Sequence, residues 1–310
     1  MGANRSQRTS IAQTGSRRTE PPRQGHLHGP SVKLDHRINA VRNDLADIAL
    51  ADRIIAPRYV LPLPMQCAAN VAMLRGAPDP AATATSALLY GEAFAVFDID
   101  NGWAWGQCAH DGYVGYVDAG ALSAAAAAAT HRISAPWALV FARADIKSPT
   151  MADLPLGALL VAAEHDEKFV AAAGGFIHRR HVAPLGEFAP DALEVARQFT
   201  GTPYLWGGRS RAGIDCSGLV QVALMAAGQP APRDSDQQAQ GIGDAVALAD
   251  RAPGDLLFIP GHVGFIDHGD RLLHANAHWM ATVSEPLADV LARLPAGTMI
   301  TLRRPRINQP

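Results

Sequence analysis

Apolar and polar positions change period twice along the chain. Residues 94–97, 103–108 and 113–117 are short aromatic or β-branched runs. Asp100-Asn101-Gly102 and His110-Asp111-Gly112 separate them, and Asn-Gly or Asp-Gly steps close tight hairpins. This pattern predicts a small antiparallel β-barrel. A weaker copy follows over residues 158–163, 168–172 and 176–185, with 164–167 as its middle turn. Its ending, 175–185, lies beside 112–122 at an offset of 63. Two tandem barrels are therefore expected, joined by an Ala-rich linker over 121–133. After Pro190 the period lengthens to that of a helix. Asp191 with Glu194 forms a capping-box pattern, and Gly201 followed by Pro203 ends that helix. A second helix spans 216–227, with apolar residues at 216, 219, 220, 223, 224 and 227. Strand-like runs follow at 256–259, 263–266, 272–275 and 281–284, then a helix from near Pro286 and a last strand at 299–302. Helices first and an antiparallel sheet afterwards predict an α+β domain.

The expected organisation is thus multidomain: a basic disordered tail (1–35), two small β-barrels (36–122 and 123–187) and an α+β domain (188–310). The tail carries Arg5, Arg8, Arg17, Arg18 and Arg23 against Glu20 and has no hydrophobic period. Hydrophobic residues make up 48% of the 310 positions, enough for packed cores. A net charge of −2 argues against a protein held on nucleic acid by phosphate contacts. No apolar run reaches the length of a membrane span, so no stable membrane association is expected, and the N-terminus lacks a secretion-signal core. Three cysteines do not make a disulfide framework. Together these features predict a cytoplasmic location. The sequence does not set the oligomeric state.

Cys216 lies at the N-terminus of the second helix, where the dipole and a neighbouring histidine lower a thiol pKa. His262 and His274 are the candidate neighbours. With residues 267–269 as a three-residue hairpin loop, Ile266 faces Asp270 and His262 faces His274 on one side of the sheet. A register shifted by one would put them on opposite faces. In the first register the arrangement is that of nucleophile, base and orienter. Taken singly, each residue has a bland reading: an inert buried cysteine, or a hydrogen-bonded structural histidine. A zinc site would need a ligand set that no Cys-x-x-Cys or His-Glu-x-x-His spacing supplies, and Cys67 and Cys108 read as strand hydrophobes.

These residues carry a resemblance. Tyr204-Leu205-Trp206-Gly207-Gly208 and Asp215-Cys216-Ser217-Gly218, then Gly261-His262-Val263-Gly264 and Leu273-His274-Ala275, resemble the motifs of NlpC-type cell-wall cysteine peptidases, in that family's order. Upstream, the tandem barrels resemble bacterial SH3-like domains of the γ-D-glutamyl-L-diamino acid endopeptidases. The resemblance implies two SH3-like β-barrels followed by a papain-like α+β peptidase domain. It also implies Cys216 as nucleophile, His262 as base and His274 as orienter, with the Cys216 N–H and Tyr204 hydroxyl holding the oxyanion. Asp215, Ser217, Asp234 and Ser235 match positions that line the family's cleft. On their own residues, Asp215 reads equally as a helix N-cap and Asp234-Ser235 as a helix start. Glu92 and Tyr113, in the first barrel, match positions that bind a free L-Ala amine. The implied activity is hydrolysis of the γ-D-Glu–diamino acid bond in murein peptides, in cell-wall peptide recycling, without metal or cofactor. A non-catalytic murein-peptide binding module and an acyltransferase on the same scaffold are the alternatives.

Overall fold

The computed structural model describes residues 33–125 and 127–306. The expected tail falls largely outside them, but Asp35 at its inner end is placed and accepts hydrogen bonds from Arg37 and Gln237. Among the described residues, no helix is long and apolar enough to cross a membrane.

The first β unit is a seven-stranded antiparallel sheet over residues 63–124. Its central hairpin pairs Ala93–Asp100 with Trp103–Cys108, and the turn between them places Asn101 and Gly102 at φ 47° and 81°. Those left-handed positions are what an Asn-Gly step supplies at low cost. Cys67, Leu74, Leu88, Phe94, Ala104 and Val117 fill its core. The second unit, residues 131–184, contains a three-stranded and a five-stranded sheet. Trp137–Phe141 and Thr150–Pro155 are strands of this unit that the periodicity did not mark.

The two units repeat the same parts, but at a different offset from the expected 63. Each has a hairpin bulged at one step, between Leu74 and Arg75 and between Val140 and Phe141. A glycine, Gly115 or Gly175, lies on each bulge so closely that a Cβ would come 2.7 Å from Leu74 or 2.5 Å from the Phe141 carbonyl. A 3-10 turn follows each, Ala119–Ala121 and Arg179–His181. Gly115 therefore corresponds to Gly175, an offset of 60. Matching on Gly112 had chosen the turn glycine (φ 75°) instead of the crossing glycine.

The C-terminal unit contains α1 (Ala192–Arg197), α2 (Cys216–Ala226), α3 (Ser235–Gly241) and α4 (Leu287–Ala292) against a six-stranded antiparallel sheet. The capping pattern at α1 is realised, with the Asp191 carboxylate accepting from the Leu193 N–H at 2.8 Å. Helix α2 is buried on nearly all sides, beyond its apolar stripe. Its polar face packs against partners: Gln221 donates to Asp111 of the first β unit, and Ser217 accepts from Arg233.

The hairpin carrying both histidines, His262–Asp267 and Arg271–Asn276, turns through 268–270 rather than 267–269. Gly269 and Asp270 both take positive φ, and Asp267 pairs with Arg271. The register thus moves by two positions, which preserves the face of every side chain. His274 lies opposite Gly264 and diagonal to His262. A Cβ on residue 264 would come 2.9 Å from the His274 Cβ, so glycine leaves the room in which the two imidazoles meet.

Candidate active site

Cys216 opens α2 and is 6% exposed. The N-cap is Asp215, whose Oδ1 accepts from the Gly218 N–H at 2.7 Å and whose Oδ2 accepts from the Gly207 N–H at 2.8 Å. One carboxylate thereby fixes both the helix start and the Trp206-Gly207-Gly208 turn. Arg233, fully buried, donates to both Asp215 oxygens at 3.0 and 2.6 Å and reaches Ser86 of the first β unit at 3.1 Å. Asp215 thus caps the helix and also borders the cleft beside Cys216.

The backbone N–H groups of Val263 and Ser217 face the Cys216 sulfur, which sets it beside the strand that begins at His262. His262 Nε2 is 2.7 Å from His274 Nδ1, and His274 Nε2 is 2.9 Å from Glu285 Oε1. Arg293 donates to the same Glu285 oxygen at 2.6 Å. Because an ionised carboxylate only accepts, His274 carries its proton on Nε2. Its Nδ1 then accepts from His262 Nε2–H, which leaves His262 Nδ1 as a free base. Glu285 was not singled out in the sequence. It lies 69 residues beyond the nucleophile in a strand whose alternation gives no sign of chemistry, and only the pairing of Leu272 with Glu285 brings it beside His274.

Burial governs the charges here. It pushes the Cys216 thiol up to about 11, helped by Asp215 and opposed by the two backbone N–H groups. Burial and the neighbouring His274 hold His262 down to about 3. Glu285 sits near 2, because hydrogen bonds from Arg293 and His274 outweigh its desolvation. At rest the site therefore holds a protonated thiol and a neutral imidazole. Tyr204 is half-buried near the nucleophile, its phenol raised to about 12 by burial, Cys216 and Asp215.

Cys216 opens into a cleft of about 270 Å³ lined also by Tyr113, Asp215, Ser217, Asp234 and Ser235, all singled out in the sequence. Thr85, Trp206, Asp236 and Gly261 complete the wall. At one end the Tyr113 hydroxyl donates to Asp234 Oδ2 at 3.1 Å. Arg37, from the segment preceding the first sheet, donates to the same oxygen at 2.8 Å and to Asp236 at 2.9 Å. A lone arginine in a loop-like segment gave no signal of this role.

Glu92 does not line the cleft. Its two oxygens accept from Arg209 at 2.9 and 3.0 Å, both side chains being fully buried where the first β unit meets the C-terminal unit. The expectation that Glu92 binds substrate is corrected on this point: its charge is already paired. Near it, Cys108, His110 and Asp111 form a group of possible metal ligands with atoms within 4.8 Å. Asp111 there accepts from Gln221 and from the Tyr113 N–H, and the group is part of the contact between units.

A buried thiol on a helix start, with a base held by a relayed carboxylate, is chemistry for acyl transfer from an amide. That arrangement is the one a cysteine peptidase site requires. Residues 201–289 match the NlpC/P60 family, and residues 74–122 match the bacterial dipeptidyl-peptidase SH3 domain. The chain thus joins an NlpC/P60 peptidase domain to an SH3 domain of that type. It is 36% identical over 111 residues to the γ-D-glutamyl-L-lysine dipeptidyl-peptidase of Bacillus subtilis, covering 32% of this chain and 37% of that protein. It is 27% identical over 234 residues to dipeptidyl-peptidase 6 of Lysinibacillus sphaericus, covering 67% and 86%. The chain thus spans little more than a third of the first relative and most of the second. The fold is shared with the crystal structure of an NlpC/P60 family protein from Bacillus cereus, at TM-score 0.67 and 19% identity, covering 78% of this chain and 99% of that one.

Proposed function

We propose that this peptidase hydrolyses the γ-D-Glu–diamino acid bond of murein peptides that begin with a free L-Ala. The observation that carries the reading is the Tyr113–Asp234 hydrogen bond, which closes one end of the Cys216 cleft with a phenol and carboxylates. Arg37 now donates to both carboxylates there, so a substrate ammonium would take the place of that guanidinium against Asp234 and Asp236, and a peptide still attached to glycan through its amine has none to offer. The names of the two relatives accord with a dipeptide-releasing action.

His262 Nδ1 takes the thiol proton as sulfur adds to the γ-carbonyl of D-Glu. The resulting oxyanion is met by the Cys216 N–H and the Tyr204 hydroxyl. Collapse of the adduct breaks the C–N bond, and His262 gives its proton to the leaving amine. Water then hydrolyses the thioester by the same base, releasing L-Ala-D-Glu. The relay through His274 to Glu285 stabilises the imidazolium formed in each half. Such a substrate suits recycling of peptides shed from the wall. Three unpaired cysteines suit the reducing cytoplasm as its site.

The test is mass spectrometry of free L-Ala-γ-D-Glu-meso-diaminopimelate beside intact sacculi, with wild type and Cys216→Ala. Release of L-Ala-D-Glu from the free peptide by wild type alone is expected. Equal rates on sacculi would overturn the free-amine requirement.

A further inference from the structure

A second cavity, of about 160 Å³, lies where all three units meet, away from Cys216. Leu89 of the first unit, Leu156 and Leu185 of the second, and Val222 and Met225 of α2 give it apolar walls. Arg132, in the strand His131–Ile133, projects into it while only 9% exposed. Its Nη2 donates to the carbonyls of Glu187 and Ala226, and the guanidinium lies 4.7 Å from the Phe188 ring centroid. Among the described residues no carboxylate comes within ion-pair distance of Arg132, and its Nε and Nη1 make no hydrogen bond. The Arg209–Glu92 pair, both members of which line the cavity, is neutral. Arg132 is therefore the one uncompensated cation among the described lining residues, beside that pair and the apolar side chains. Burial makes that charge costly, and exposed Glu187 offsets it only from a distance.

We infer that this junction is a binding site for a small monocarboxylate with an apolar tail. A single carboxylate supplies the missing negative charge, and the leucines, valine and methionine take the tail. The volume is close to that of engineered cavities that hold benzene, which sets the tail at about six carbons. Leu185, 40% exposed, lies at the entrance. Since α2 begins at Cys216 and its last turn forms part of the wall, an occupant braces the nucleophile helix against both β units.

Calorimetry and thermal unfolding of the full chain with hexanoate, benzoate and uncharged hexanol test this. Hexanoate and benzoate are expected to bind at least tenfold more tightly than hexanol, and equally well to Cys216→Ala. Arg132→Gln should erase that preference. Should Arg132→Gln fail to fold, Met225→Trp, which fills the cavity and keeps the guanidinium, should abolish binding of both acids. Equal binding of hexanoate and hexanol, retention of hexanoate by Met225→Trp, or no binding at millimolar acid would overturn the inference.

Discussion

Replacing Glu285 by Gln isolates the charge at the end of the relay. The carboxamide oxygen still accepts from His274 Nε2–H, so shape and tautomer are retained while the negative charge is lost. Hydrogen bonds of 2.9 and 2.7 Å, with one imidazole ring between them, separate the two ends of the relay. They put the carboxylate about 8 Å from the His262 ring nitrogen, and at an effective dielectric of about 20 its attraction for the imidazolium is about 2 kcal/mol. That charge exists only once His262 has taken the thiol proton, so the loss falls on the transition state and not on substrate binding. The expected outcome is a fall of about 30-fold in kcat with KM unchanged, measured on the free murein tripeptide. Glu285→Leu, which also removes the acceptor that fixes the His274 tautomer, should fall further. A Glu285→Gln enzyme within threefold of wild type would show that the relay carries orientation but no charge, and the electrostatic reasoning would be wrong.

Gly264→Ala places a methyl 2.9 Å from the His274 Cβ and 3.0 Å from the Leu273 carbonyl. It should cost about 1–3 kcal/mol by overpacking and lower kcat through a displaced His274, as read by denaturant unfolding and kinetics. Glu92→Gln leaves the Arg209 guanidinium buried without its partner. A loss of about 3–5 kcal/mol in stability is expected with KM unchanged, and a raised KM in a fully folded variant would return Glu92 to the substrate site. With His262 held down to about 3 and Cys216 up to about 11, kcat/KM should stay flat from about pH 5 to 9. Because His262 binds protons less readily folded than unfolded, stability should decline as pH drops from 6.5 toward 3, and a thermal midpoint that rises on acidification through this window would contradict it.

What could be read from the sequence was whatever local spacing determines. Asp215 before an i, i+3, i+4 stripe marked the start of α2, and Asn101-Gly102 marked a hairpin. The face shared by His262 and His274 was legible because parity survives a two-residue error in register. The register itself was not, since it depends on which residues near Gly269 accept positive φ. Glu92 was misread because an acidic residue before a strand looks the same whether its partner is a ligand or Arg209, 117 residues away. Glu285 and Arg37 were missed for a similar reason: their partners come from across a sheet and across two units.

The salt link of Arg233 has a further consequence for how this molecule can be divided. That arginine holds the cap of the nucleophile helix with one side of its guanidinium and touches Ser86 with the other, while Gln221 and Arg209 reach Asp111 and Glu92. Excising residues 188–306 would strip the cover from two guanidinium groups and a glutamine and loosen the frame around the thiol. The upstream sheet is structurally an outer wall of the enzyme's own interior, so any shuffled descendant would have to inherit both pieces together.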